Sequence, residues 1–175
     1  MITENQAVRL LHKYEVPVEI IYHCKAVAKT AMEIVDECKL KNVDKQKLKI
    51  ACLLHDIGRV KVLRDGSNPE FGSNRHEPHS VEILKKEKLP EIAEIVSKHG
   101  YMLANYTLDE LTIEEKVLAI ADSLSKGDKR VSASPEEREK RFMKKYEAAK
   151  DYKALEQFKK SMPIYTKIIK EFGLK

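Results

Sequence analysis

The chain has no tryptophan, and only 7 tyrosines and 4 phenylalanines among its 175 residues. These few aromatics do not interleave with basic residues, so the sequence lacks the stacking platform on which single-stranded nucleic acid is held. Cysteine is equally scarce. Cys24, Cys38 and Cys52 are odd in number, lie 14 residues apart and form no Cys-x-x-Cys pair. Buried free thiols are therefore expected in place of a disulfide framework or a thiolate zinc knuckle. No apolar run approaches the ~18 residues of a membrane-spanning helix, and no basic-then-apolar leader opens the chain, so a cytoplasmic protein is expected. Charge of one sign is also in short supply: the net charge is +5, from 33 basic and 28 acidic residues. Most of these alternate along helical faces and read as solvated surface, so nucleic acid is not expected as a stable partner.

What the sequence does contain is apolar helical stripes that end in metal-type side chains. Leu48, Ala51 and Cys52 fall at i, i+3 and i+4 of one face, and the i+7 position is His55, followed at once by Asp56. A carboxylate buried there costs several kcal/mol, on the order of the penalty for an uncompensated charge, unless a cation or donors meet it. The pattern recurs. Val16, Ile20, His23 and Val27 share a face, as do Ile92, Ile95, Val96 and His99. Leu118, Ala119 and Asp122 place a carboxylate on the core side of a helix whose wet side carries Glu114, Glu115 and Lys116, and His79 stands one turn before Ile83. One histidine on an apolar stripe is commonly packing, but repetition on successive helices points to a shared metal site.

His23, His55-Asp56 and Asp122, in that order, resemble the H…HD…D signature of the HD-domain metal-dependent phosphohydrolases, and Ile57-Gly58 matches its HDIG variant. The resemblance covers about residues 17 to 131 and implies an all-α helical bundle that hydrolyses a phosphate ester, a nucleotide or dinucleotide, through a metal-activated water. It implies His23, His55, Asp56 and Asp122 on one metal and His79 and His99 on a second, with Asp56 bridging. One or two divalent ions of iron, manganese, cobalt or nickel suit such mixed imidazole and carboxylate donors better than structural zinc does. Arg59 stands where the HDIG pattern often has lysine, and its planar fork could hold a phosphate. The expected catalytic residues are Asp56, Arg59 and His76. By position His76 could protonate a leaving group or act as a further ligand. Lys126, Lys129 and Arg130 follow the metal aspartate and either complement the helix dipole or, with Arg59, bind phosphate. The alternative is a non-catalytic helical protein that uses its metal for stability or sensing and binds a partner.

Local signals divide the chain into about seven or eight helices with no significant sheet, forming a domain over 1–131 with the C-terminal helices of 132–175 packed on it. Thr3 with Gln6 and Thr112 with Glu115 read as capping boxes, Asp44 as an N-cap, and Pro17, Pro90 and Pro135 as first-turn prolines. Gly58 and Gly100 read as left-handed helix stops after the histidines. Residues 65–78, with Gly66, Pro69, Gly72 and Pro78, form an irregular stretch that reads as a lid or a connector, and 101–111 forms a second loop. The final helix is expected over Ile164–Phe172. Its apolar face, Tyr165, Ile168, Ile169 and Phe172, could pack in the core or against a second copy in a homodimer.

Overall fold

The computed structural model describes residues 2–64, 76–127, 129–148 and 150–174. Nine α-helices lie among them: α1 (Glu4–Lys13), α2 (Val18–Glu37), α3 (Lys45–Leu54), α4 (Arg59–Arg64), α5 (His76–Lys86), α6 (Pro90–Ser97), α7 (Ile113–Leu124), α8 (Pro135–Ala148) and α9 (Tyr152–Phe172). Two short 3-10 segments, Gly100–Asn105 and Leu108–Glu110, join α6 to α7. The only strands among the described residues are β1 (Ser125–Lys126) and β2 (Lys129–Arg130), a two-residue antiparallel ribbon. The architecture is thus all-α, with α4 the one helix that periodicity does not announce.

The caps act as the sequence leads one to expect. Thr3 Oγ1 accepts from Gln6 N while Gln6 Oε1 accepts from Thr3 N, Asp44 accepts from Lys47 N, and Thr112 with Glu115 closes a second capping box. Each such cap contributes about 1 kcal/mol. The core forms around the C-terminal half of α3, where Ile50 to Leu54 are all buried. α2 lays Ile21, Cys24, Val27, Ala31, Ile34 and Val35 against α3 and α7. Cys24 and Cys52 are buried free thiols in this interface.

The C-terminal helix begins twelve residues earlier than expected and runs straight through Pro163. Proline in a helix interior forfeits one main-chain hydrogen bond and crowds the carbonyl one turn back. Here the cost is offset by burial on both sides, of Leu155 and Phe158 before it and of Ile164, Tyr165, Ile168, Ile169 and Phe172 after it. Tyr165, Ile168, Ile169 and Phe172 belong to the main core, which removes that face as a dimer surface. The first half of α9 instead joins α8 in a satellite cluster of Tyr146, Ala154, Leu155 and Phe158. Of the 65–78 stretch, 65–75 lie outside the described residues, so the lid reading falls there too; 76–78 open α5. No helix of the described residues is long and apolar enough to cross a membrane.

Candidate metal centre

Four helices and one turn bring six donor residues together. His23 comes from the middle of α2, Asp122 from the last turn of α7, and His55 and Asp56 from the turn between α3 and α4. His99 follows α6, and His76 opens α5. Two imidazoles are fixed by the backbone: His55 Nδ1 donates to Cys52 O at 2.8 Å, and His99 Nδ1 donates to Val96 O at 2.5 Å. Each ring therefore turns its Nε2 lone pair to the centre, the arrangement by which an outer hydrogen bond sets a ligand's tautomer.

Asp56 lies between two groups of nitrogens. Its Oδ2 is 3.7 Å from His23 Nε2 and 3.6 Å from His55 Nε2, and Asp122 Oδ1 lies 3.0 Å and 3.5 Å from the same two nitrogens. Its Oδ1 is 2.8 Å from His76 Nε2, which in turn is 3.2 Å from His99 Nε2. Arg59 Nε approaches Oδ2 to 2.6 Å. These contacts lie off the hydrogen-bond axis, so both Asp56 oxygens and His55 Nε2 remain buried without an aligned partner. Unsatisfied acceptors in a protein interior are costly. A cation at the centre would satisfy them, and the ligand atoms of His23, His55 and Asp122, and of His55, Asp56 and His99, all lie within 4.8 Å of one another.

The charges agree with that fit. Burial alone would raise the Asp56 carboxyl, but Arg59, His55 and His76 outweigh it and hold it well below the usual range. For Asp122, burial is outweighed by the hydrogen bond to His23 and by His55 3.5 Å away, and its carboxyl is held well below the usual range. His99 is pushed down to about 4 by burial and by the neighbouring His55 and His76, which keeps it a neutral donor near pH 7. Burial opposes a charge on His55, yet Asp56, Cys24 and Asp122 pull it well above its ordinary value. The carboxylates thus draw positive charge onto His55 while His99 stays neutral, and a divalent ion at the centre would take the place of that proton.

Gly58 corrects a reading of the sequence. It is absent from the positive-φ glycines, which are Gly100, Gly127 and Gly173, so it does not stop a helix in the left-handed region. Its role is room: a Cβ there would lie 2.3 Å from Ser80 N and 2.4 Å from His76 O. The close approach lets Gly58 N donate to Ser80 Oγ at 2.9 Å while Ser80 Oγ donates to His55 O at 2.7 Å, which ties α5 to the His-Asp turn. His76 lies four residues before Ser80 and so faces the cluster with it. His79 lies one residue before Ser80 and turns away. It is part-exposed, with Nδ1 3.9 Å from Glu82. It is thus His76, and not the expected His79, that stands beside Asp56 and His99.

The cluster opens into a cavity of about 800 Å³. Arg59 and Lys126 line it, whereas Lys129 and Arg130 do not. Arg130 is bound to Glu37 at 2.7 Å and approaches Glu33 at 3.7 Å, so its charge is used on α2 and not at the cavity mouth. The cavity's other cations, Arg138, Arg141, Lys144 and Lys145, come from α8, a segment whose high charge masks them in the sequence. Glu77 was also missed. It is buried at 2% exposure with neither oxygen hydrogen-bonded, 3.8 Å from His76 Nδ1 and against Gly100.

The family model of the HD domain matches residues 20–127, which takes in every donor of the cluster. The chain belongs to the HD domain family. It is also similar to two proteins named tRNA (cytidine(56)-2'-O)-methyltransferase. That of Thermoplasma volcanium is 32% identical over 73% of this chain and 38% of its own length; that of Picrophilus torridus is 30% identical over 82% and 40%. The chain thus spans about two fifths of these relatives. An uncharacterized protein of Methanocaldococcus jannaschii is 34% identical over 64% of this chain and 69% of its own. No solved structure matches significantly.

Proposed function

We propose that this HD domain is a metal-dependent hydrolase of phosphate esters acting on a nucleotide or dinucleotide. The observation that carries the reading is the Asp56 carboxylate, buried with both oxygens unsatisfied between two groups of imidazole nitrogens. His23, His55, Asp56 and Asp122 would hold one divalent ion and His76 and His99 a second, with Asp56 shared. When bound, the ions supply Lewis-acid activation of water and of the phosphoryl oxygen near neutral pH.

The chain's own residues orient and hold. The backbone carbonyls of Cys52 and Val96 fix the His55 and His99 rings. Glu77 lies 3.8 Å from His76 Nδ1, the ring nitrogen that does not face Asp56. Arg59, anchored on Asp56, presents its fork to a phosphate in the same cavity. With its Nε2 directed at Asp56 and His99, His76 acts as a donor to the centre and not as the acid for the leaving group.

Protein reconstituted with iron(II), manganese, cobalt or nickel is expected to release phosphate or nucleotide from a panel of mononucleotides, nucleoside triphosphates, dinucleoside polyphosphates and cyclic nucleotides. Chelation or Asp122→Asn should stop that release. No turnover with any metal and substrate would overturn the reading. Within the cluster, His76→Ala should lower the metal content of the purified chain, measured by plasma mass spectrometry, while His79→Ala leaves it unchanged. The reverse result would return His79 to the donor set.

A second reading is favoured by the two relatives named for acting on tRNA: the ester would belong to an RNA in place of a free nucleotide. Cleavage of a short RNA, or loss of its terminal phosphate, with no turnover of free nucleotides would select it.

A further inference from the structure

Arg138 is a cation at 8% exposure on the wall of the same cavity, and among the described residues it forms no ion pair. Its Nε donates to Ser123 Oγ at 2.5 Å and its Nη1 meets Met162 Sδ at 3.0 Å. The guanidinium carbon lies 4.1 Å from the Tyr165 ring centre, 4.8 Å from Phe158 and 4.9 Å from Phe142. Aromatic faces favour a cation but do not replace a counter-ion for a charge taken out of water. Burial accordingly drags the Arg138 pKa down to about 10, with Tyr165 and Asp122 opposing and Arg141 adding to the fall. Arg141 stands one turn further on α8, its Nη2 3.5 Å from Ser123 O. Both arginines thus converge on Ser123, the residue next to the donor Asp122, and residues adjacent in the chain have Cα atoms only about 3.8 Å apart.

We propose that Arg138 and Arg141 form an anion subsite beside the His/Asp centre, so that the substrate carries a second phosphate adjoining the scissile one, on a polyphosphate chain. This rests on the hydrolase reading for the scissile phosphate, but the subsite itself is built from α8 and needs no metal. A forked, always-charged group suits a phosphate oxygen pair better than a lysine would. Phe142 and Tyr146, on the same face of α8, give the cavity an apolar side next to these charges.

Calorimetric titration of the manganese-loaded full chain with inorganic tripolyphosphate and with orthophosphate tests the assignment. Tripolyphosphate is expected to bind at least about 10-fold tighter than orthophosphate, the ratio one further ionic contact gives. Arg141→Ala should weaken tripolyphosphate about 10-fold or more and orthophosphate less than about twofold. Arg138→Lys should do the same if it folds; Arg141→Ala, on a less buried residue, keeps the test open if it does not. Equal loss for both anions, or no loss, overturns the subsite. Displacement of tripolyphosphate by ATP supports a polyphosphate substrate, and displacement by an RNA trinucleotide alone overturns it. Failure of the hydrolase reading looks different: neither anion's affinity would then depend on manganese, while the Arg141→Ala difference would persist.

Discussion

Asp56→Ala is expected to remove phosphate release by at least about 10³-fold, since a carboxylate shared by both halves of the centre supports several kcal/mol of charge stabilisation at about 1.4 kcal/mol per decade. The side chain is 1% exposed and bordered by His23, His55, His76 and Arg59, none of which offers a carboxylate in its place. The loss should be separable from unfolding. In the metal-free protein the substitution leaves Arg59, His55 and His76 without the carboxylate they surround, and the melting temperature is expected to fall. With metal in excess the wild type is stabilised by the binding free energy and the variant is not. A variant that keeps metal-dependent turnover, or that added metal stabilises as much as it does the wild type, would show that Asp56 holds no cation.

Gly58→Ala is expected to be the most damaging change at a residue that holds no ligand. One methyl would sit 2.3 to 2.7 Å from the Ser80 nitrogen, the His76 carbonyl and Ser80 Oγ, two of them backbone atoms. α5 must retreat, and with it go the hydrogen bonds of Gly58 and His55 to Ser80 Oγ. Overpacking of this kind costs about 3 kcal/mol. Chemical denaturation measures the stability, and metal content reports the displacement of His76. Ser80→Ala makes no clash and should cost about 1 to 2 kcal/mol through the lost bonds alone. Equal effects from the two substitutions would mean that the hydrogen bonds, not the close approach, hold α5 in place.

These two residues show where reading the sequence stops. His23, His55, His99 and Asp122 were legible because each extends an apolar stripe whose period fixes the direction in which it points. His76 has no such stripe before it. It follows the Gly- and Pro-containing sequence of 65–75, and its inward direction is set by the contact between Ser80 and Gly58, a partner 22 residues away. Periodicity relative to Ile83 favoured His79, the wrong side of the same helix. The Gly58 signal was read as a left-handed stop because a glycine needed for space looks the same in sequence as a glycine needed for φ. The final helix was expected only from Ile164, because the local cost of Pro163 is visible in the sequence and the burial of Phe158 and Tyr165 that offsets it is not. In α8, Arg138, Phe142 and Tyr146 recur at i, i+4 and i+8, a stripe that could have been found beneath the surrounding charges. The caps at Thr3, Asp44 and Thr112 were legible, since each is decided within four residues.

Metal stoichiometry tests the central claim most directly. Plasma mass spectrometry on protein purified anaerobically without chelator is predicted to find two transition-metal ions per chain, falling in His76→Ala and lost in Asp56→Ala. No metal in the purified chain, or after reconstitution with iron, manganese, cobalt and nickel, would contradict the account.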